Sequence, residues 1–549
     1  MTQKTDSDRS AMLRALDVIE RVGNRIPHPF WLFLILGVIV LVLSWVLSAA
    51  GVSVDSPTED EPVEVVNLLS VGGLRRIVVE AITNFTGFPP LGIVLAVMLG
   101  VAVAEGSGVI TTAVRSVVTR VHGRWLTFAV ALTGITGSIA SDAVTVVLPP
   151  LAALAYLAVG RSPLFGIAVG FTSVSAGFNA SLVINATDAL LAGISTSAAQ
   201  ILEPDRVVSP LANIFFTVAS SVLLAVVITV VLEKWVAPRV EGMELDGPAV
   251  TTDEEGNTVA VPESDEQDEG GSDQTGEDST ADDGPADADF TDLESMRLSD
   301  IEKRGLRNAA LGLVGFLVAL GAVIAIPGSP LRGEEGEILT GPGVLSVSIL
   351  IALMFVAVGL AYGLTVGSIS SWSDVPEFMV KGMKDLAPVL VLFFAAAQFI
   401  AWFTWSNIGT VLAVSGAGLV EALGVPPVVL FVLMILMTYV LNLFITSGSA
   451  QWTLMAPVLV PGLMLLGIQP EVAQLLFRIG DSSSNIITPL NVFFALMLTY
   501  LQRYRRDAGV GTLLSMTLPV SLAILVTWTA FFLLWYAVGL PIGPGVTPR

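Results

Sequence analysis

Five ionisable residues lie inside long apolar stretches of the 549-residue chain: Glu105, Asp142, Asp188, Arg478 and Asp481. Each costs about 2.5–3.5 kcal/mol to place in the middle of a membrane-spanning helix, so each calls for a partner or a task. Arg478 and Asp481 stand three apart, close enough on a helix to form an internal salt bridge that merely holds their segment together. The same guanidinium is a planar fork matched to a carboxylate, so the pair equally suits a substrate site. Asp188 has no basic residue near it in sequence, and a lone carboxylate at that depth is suited to carry a proton, a cation or a substrate group. Hard oxygen donors gather nearby in sequence: Ser138, Ser141, Asn442, Thr446, Ser447 and Ser449, with Asn179 and Asn485 in two further polar interruptions. A single serine more often glues helices together, but such oxygens concentrated at unwound helix ends suit Na⁺. The expected coupling ion is H⁺ or Na⁺, with Na⁺ sites at the hairpin tips and helix breaks. Trp452, three residues past one of these clusters, offers an indole that could stack on a planar ring.

These groups must be held by elements that live in lipid. Apolar residues make up 53% of the chain and charged residues 13%, too little polar surface to cover a water-soluble fold of this size. Apolar windows predict spans near Phe30 to Ala50, Leu91 to Ala104, Leu211 to Val231, Asn308 to Ile326, Gly343 to Gly363, Asp385 to Phe403 and Thr512 to Trp535. Four more stretches are interrupted by small and polar residues. Residues 125–159 and 427–466 are too long for one span and break at Gly137–Asp142 and Thr446–Ser449, the pattern of re-entrant hairpins. Residues 164–194 and 471–500 break around Asn179 and Asp481–Asn485, the pattern of helices that unwind midway. The fold expected is an all-α integral membrane protein of about nine transmembrane helices plus two re-entrant hairpins.

Three matched segments suggest that the second half repeats the first with inverted topology. Ser141-Asp142-Ala143 precedes Pro149 at the spacing by which Ser449-Ala450-Gln451 precedes Pro457, and Asn179 and Asn485 follow at similar distances. The segment starting at Glu105 resembles the one starting at Ser406. Basic residues before the first span, before the first hairpin, after residue 302 and before the last span put all these loops on one side, the cytoplasm. The organisation is then a cytoplasmic segment 1–29, a membrane half 30–235, an acidic cytoplasmic loop 236–305, a second membrane half 306–537 and a periplasmic tail 538–549. Residues 241–302 hold 22 of the chain's 48 acidic residues against one base, Arg297, a composition that cannot bury a core and reads as disordered.

Several classes of function are poorly served by this composition. Cysteine is absent, and the only histidines, His28 and His122, sit beside basic interfacial stretches, which disfavours thiolate chemistry, zinc proteolysis and a Ser–His pair. Arg-Ile-Gly-Asp at 478–481 lacks the Gly-x-Gly-Asp pattern of an intramembrane aspartyl protease, so an enzyme is not expected. A passive channel is the other rival, but inverted repeats with broken helices suit alternating access better than an open pore.

Four segments also carry a family pattern: Asn-Arg-Ile-Pro-His-Pro-Phe at 24–30, Ala-Thr-Asp-Ala-Leu at 186–190, Ser-Gly-Ser-Ala-Gln-Trp at 447–452 and Phe-Arg-Ile-Gly-Asp-Ser-Ser-Ser-Asn-Ile-Ile-Thr-Pro-Leu at 477–490. The chain resembles the p-aminobenzoyl-glutamate transporter (AbgT) family over nearly its whole length outside the acidic loop. The resemblance implies a homodimer in the bacterial inner membrane, with ion-coupled transport of p-aminobenzoyl-glutamate or export of sulfonamide antimetabolites. Another dicarboxylate-like organic anion is the alternative substrate. It also implies functional roles for Asp188, Ser449, Trp452, Pro470, Arg478, Asp481 and Pro489, with Asn442 beside a cation site. Neither a cofactor nor a nucleic-acid partner is expected. The long acidic loop departs from what the resemblance leads one to expect.

Overall fold

The computed structural model of the chain describes residues 27–55, 61–120, 123–137, 142–243, 298–333 and 341–548, with 245, 250–252, 258–260 and 336. Most of the acidic loop, the first 26 residues and the tip of the first hairpin with Ser138 and Ser141 lie outside these described residues.

Among them, seven helices are long and apolar enough to cross a membrane. They are α1 (Pro29–Ala49); α2 (Val71–Thr86), which runs into α3 (Pro89–Ser107) and counts with it as one; α9 (Ile214–Val240); α10 (Asp300–Ala325); α11 (Val347–Val366); α12 (Asp374–Trp405); and α18 (Val510–Val538). Each of the seven apolar windows of the sequence falls largely on one of them. Between them lie α4 (Val109–Arg120), α5 (Leu126–Gly137), α6 (Asp142–Ala158), α7 (Pro163–Ala176) and α8 (Ala186–Ala199) in the first half. The second half has α13 (Ile408–Ala422), α14 (Pro427–Asn442), α15 (Gly448–Leu465), α16 (Pro470–Asn485) and α17 (Val492–Tyr504). The order of elements from α3 to α9 thus recurs from α12 to α18. Even the joints match: Gly108 and Asn407, with positive φ angles of 84° and 59°, stand between the end of one helix and the start of the next.

Prolines begin the helices around the breaks, where their missing N–H is harmless: Pro163 starts α7, Pro427 starts α14 and Pro470 starts α16. The sequence windows missed α2, α4 and α13. α2 and α4 carry arginines that depress their apolarity, and α13 is too short to span alone.

Burial sorts the helices into shell and centre. Only 22% of the apolar window of α1 and 6% of that of α10 are buried, so these helices lie at the periphery of the protomer. By contrast every residue of α7 and of α16 is buried. α16 packs against α14, α15, α18 and α8, and α7 against α5 and α6. Contacts are close enough to demand glycine: a methyl on Gly480 would sit 2.6 Å from the Ile435 carbonyl oxygen, and one on Gly170 2.7 Å from Pro149 Cα. Two short antiparallel strands, Ser53–Val54 and Val63–Glu64, pair after α1.

Candidate functional site: two helix breaks around a buried arginine

The two broken helices meet. α7 ends at Ala176, the chain runs irregularly to Asn185, and α8 begins at Ala186; α16 ends at Asn485 and α17 begins at Val492. Irregular backbone frees peptide groups that must find partners inside the protein. Here side chains of the second half supply partners for the first break. The Asn179 peptide N–H donates to Ser482 Oγ (3.0 Å), and its side-chain amide donates to Ser482 Oγ (2.9 Å) and to Asp481 Oδ2 (2.6 Å).

Arg478, 1% exposed, is the cation of the site. Its Nη1 lies 2.8 Å from Asp188 Oδ1 and donates to the Asn179 carbonyl at 3.4 Å. The sequence leaves Asp188 without a basic neighbour and puts Asp481 one turn from Arg478; the fold pairs the arginine with Asp188 instead, across 290 residues of chain. Asp188 is therefore not a lone carboxylate. Its other oxygen accepts from the Asn185 N–H (2.9 Å), and Asn185 Oδ1 accepts from the Asp188 N–H (2.9 Å), a capping box that starts α8 right after the break. Removing either member of such a buried pair leaves an uncompensated charge and costs about 3–5 kcal/mol.

Asp481 occupies a different environment. Its Oδ2 accepts from Asn179 and, at 3.4 Å, from Asn485, so an asparagine from each break flanks one carboxylate oxygen. The other oxygen, Oδ1, is buried without a hydrogen-bond partner. Asn442, the last residue of α14, spends its amide N–H groups on the Asp481 carbonyl (3.0 Å), Ser484 Oγ (2.9 Å) and Asn485 Oδ1 (2.7 Å). Its own Oδ1, like that of Asn179 and the Thr438 hydroxyl, is buried and unpartnered. The tip of the second hairpin closes on this group. A methyl at Gly448 would lie 3.2 and 3.3 Å from the two Asp481 oxygens, so the start of α15, capped by Ser447, comes up against the carboxylate. Asp481, Asn179 and Asn442 thus each keep one buried oxygen without a hydrogen-bond partner.

Trp452 is buried one turn further along α15. Its indole N–H donates to Ser195 Oγ (3.0 Å) and its ring lies 4.8 Å from that of Phe477 at 32°. The indole thus has an aromatic partner from α16 already. Ser449 is half-buried, with its hydroxyl 3.2 Å from that of Ser447 at the start of α15. Pro489 is half-buried in the second break, and Pro470 caps the far end of α16, about 12 Å from Arg478 by helical rise. Thus Asp188, Asn179, Arg478, Asp481, Asn485 and Asn442 come together, whereas Pro470 stands apart.

Sequence reasoning missed Gln474, Ser195, Ser482 and Thr438. Gln474 accepts from Arg478 Nη2 (3.0 Å) and donates to Ser195 Oγ (2.8 Å), which ties the arginine to the Trp452 partner. The signal was available: Glu471, Gln474, Arg478, Asp481 and Asn485 recur at spacings of three and four, one face of a helix.

Comparison with known proteins follows the same geometry. The model of the AbgT putative transporter family matches residues 14–267 and 280–549. The p-aminobenzoyl-glutamate transport protein of Escherichia coli is 37% identical over 532 residues, covering 97% of this chain and 96% of that protein. Among solved structures, the YdaH transporter of Alcanivorax borkumensis superposes with a TM-score of 0.81 at 37% identity, covering 94% of this chain and all of that one. MtrF of Neisseria gonorrhoeae, described as illuminating a class of antimetabolite efflux pumps, does so with a TM-score of 0.83 at 37% identity, covering 97% and 99%. With its family model, its identity and its fold in agreement over nearly the whole length, the chain belongs to the AbgT family and is a multi-pass membrane transporter.

Proposed function

We propose that this transporter is an ion-coupled carrier of p-aminobenzoyl-glutamate and related aminobenzoyl compounds, with export of sulfonamide antimetabolites as a related activity. The observation that carries the reading is the buried Arg478–Asp188 pair at the junction of two broken helices. A buried guanidinium already paired with an internal carboxylate can exchange that carboxylate for a substrate's at little change in charge, which lets an anion bind and leave. Arg478 is the anchor for a glutamate carboxylate, Asp188 its resting counter-ion and Trp452 a wall for the aminobenzoyl ring, with Ser449, Pro470 and Pro489 shaping the surroundings. Another dicarboxylate-like anion would use the same anchor.

The coupling role moves from Asp188, where sequence alone put it, to Asp481. Asp188 has both oxygens engaged, whereas Asp481 keeps one buried oxygen without a protein partner beside those of Asn179 and Asn442. Unpartnered oxygens of this hard kind favour Na⁺ over H⁺, with Asn485 as a neighbour. The recurring element order supports an inverted repeat of nine spans and two hairpins working by alternating access, and the family likeness supports a homodimer. The test is flux of radiolabelled p-aminobenzoyl-glutamate into proteoliposomes under an imposed Na⁺ or H⁺ gradient. Accumulation driven by Na⁺ and lost in Asp481→Asn is expected; accumulation that ignores both gradients would refute coupling.

A further inference from the structure

The two members of the Arg478–Asp188 pair are held unequally. Asp188 is fixed through both carboxylate oxygens: Oδ1 faces Arg478 Nη1 at 2.8 Å, and Oδ2 accepts from the Asn185 N–H at 2.9 Å. The Asn185 side chain closes the other half of this box, since its Oδ1 accepts from the Asp188 N–H at 2.9 Å. α8 itself has little room to shift. It packs along α3, with Ala189 fully buried, and a methyl on Gly193 would sit 2.6 Å from Pro90 Cα. Arg478 is held more loosely. Its Nη1 reaches the Asn179 carbonyl only at 3.4 Å, its Nη2 meets Gln474 at 3.0 Å, and its Nε is buried without a hydrogen-bond partner. A long arginine side chain can turn about its own bonds between staggered positions, whereas Asp188 cannot turn without breaking the capping box.

An asparagine at the start of a helix is commonly there only to satisfy a free peptide N–H. At α8 the residue it caps is the aspartate that faces the arginine, and the cap itself is 1% exposed, at the end of the irregular segment.

We infer that Asn185 is a positioning residue: it keeps Asp188 in place, so that the guanidinium is the member of the pair that moves. This rests on the reading of Arg478 as the substrate anchor. When a substrate carboxylate takes over the guanidinium, Asp188 is left with the Asn185 N–H and the positive end of the α8 peptide dipoles. The Asn185 side chain acts through the backbone, by holding the turn in which that N–H meets Oδ2. Without it, leaving Asp188 behind becomes more costly. A ligand that takes the guanidinium bears that cost, and a ligand that leaves the pair intact does not.

The full-length protein tests this by equilibrium binding of radiolabelled p-aminobenzoyl-glutamate and of an uncharged sulfonamide. Asn185→Ala should raise Kd for p-aminobenzoyl-glutamate roughly fivefold, the scale of one lost helix cap, and that for the sulfonamide less than about twofold. Asn185→Ser, which keeps a capping oxygen, should stay within about twofold of the unaltered protein for both. Equal loss for both ligands, no loss in Asn185→Ala, or a serine variant as weak as the alanine one would each overturn the proposal. A second readout needs no substrate: the melting temperatures of Asn185→Ala, Arg478→Gln and the double variant. The drop caused by Asn185→Ala should be larger once Arg478 is replaced, and additive drops would overturn the holding role. If Arg478→Lys leaves the relative affinity for the two ligands unchanged, the anchor reading falls, and the melting cycle still decides whether Asn185 holds Asp188.

Discussion

The two helix breaks share a design and differ in chemistry. Each follows a fully buried helix, α7 or α16, and each presents an asparagine, Asn179 or Asn485, whose amide reaches the same oxygen of Asp481. Yet α7 carries no ionisable residue, while α16 carries Glu471, Arg478 and Asp481. The first break contributes its charge only beyond the irregular segment, where Asp188 starts α8; the corresponding start of α17, Val492 to Ala495, is apolar. Two irregular segments in a recurring order of elements thus meet, and the charges are divided between them so that arginine and aspartate pair across the junction. Neither half could bury its own charges alone, which makes assembly of the halves a condition for the site.

Breaking the cross-half pair should have the largest effect. Arg478→Ala leaves Asp188 buried and uncompensated, and at about 3–5 kcal/mol uptake should fall at least a hundredfold in proteoliposomes, with a lower melting temperature. Asp188→Asn keeps an oxygen to accept from the Asn185 N–H but leaves the Arg478 charge uncompensated, so it should lower the melting temperature and lose uptake; unaltered uptake would place Asp188 in the scaffold. Next in size is the helix contact that brings α16 to α14. Gly480→Ala puts a methyl 2.6 Å from the Ile435 carbonyl oxygen and should destabilise by about 1–3 kcal/mol, read as thermal unfolding in detergent. Unchanged stability would mean that α14 and α16 separate freely. Smallest is Trp452→Phe, which keeps the ring against Phe477 and loses the bond to Ser195, about 1 kcal/mol or a several-fold rise in KM. Trp452→Ala should do worse, and equal KM in both variants would assign the ring to packing alone.

How far the sequence could be read follows from the range of each interaction. The seven long helices were legible because hydrophobic length is a local property, and so were the interruptions near Asn179 and at Thr446–Ser449; the break expected at Asp481–Asn485 instead falls after Asn485, since those residues stay in α16, and the tip of the first hairpin lies outside the described residues. Arg478 and Asp481 were visible as charges out of place. Their partners were not. Spacing of three suggested that they pair with each other, but residues on one turn need not point at one another when a deeper carboxylate is offered from elsewhere, and Asp188 comes from the other half. Trp452 read as a free stacking platform because Phe477, its actual neighbour, lies on a different helix.

The division of roles across the two breaks is tested most directly by equilibrium binding to purified Arg478→Lys, measured for p-aminobenzoyl-glutamate and for an uncharged sulfonamide. Lysine keeps the charge beside Asp188 and loses the planar fork, so affinity for the glutamate-bearing ligand should drop about tenfold while that for the sulfonamide stays within about twofold. Equal loss for both ligands would contradict the account and leave Arg478 as a structural counter-ion to Asp188.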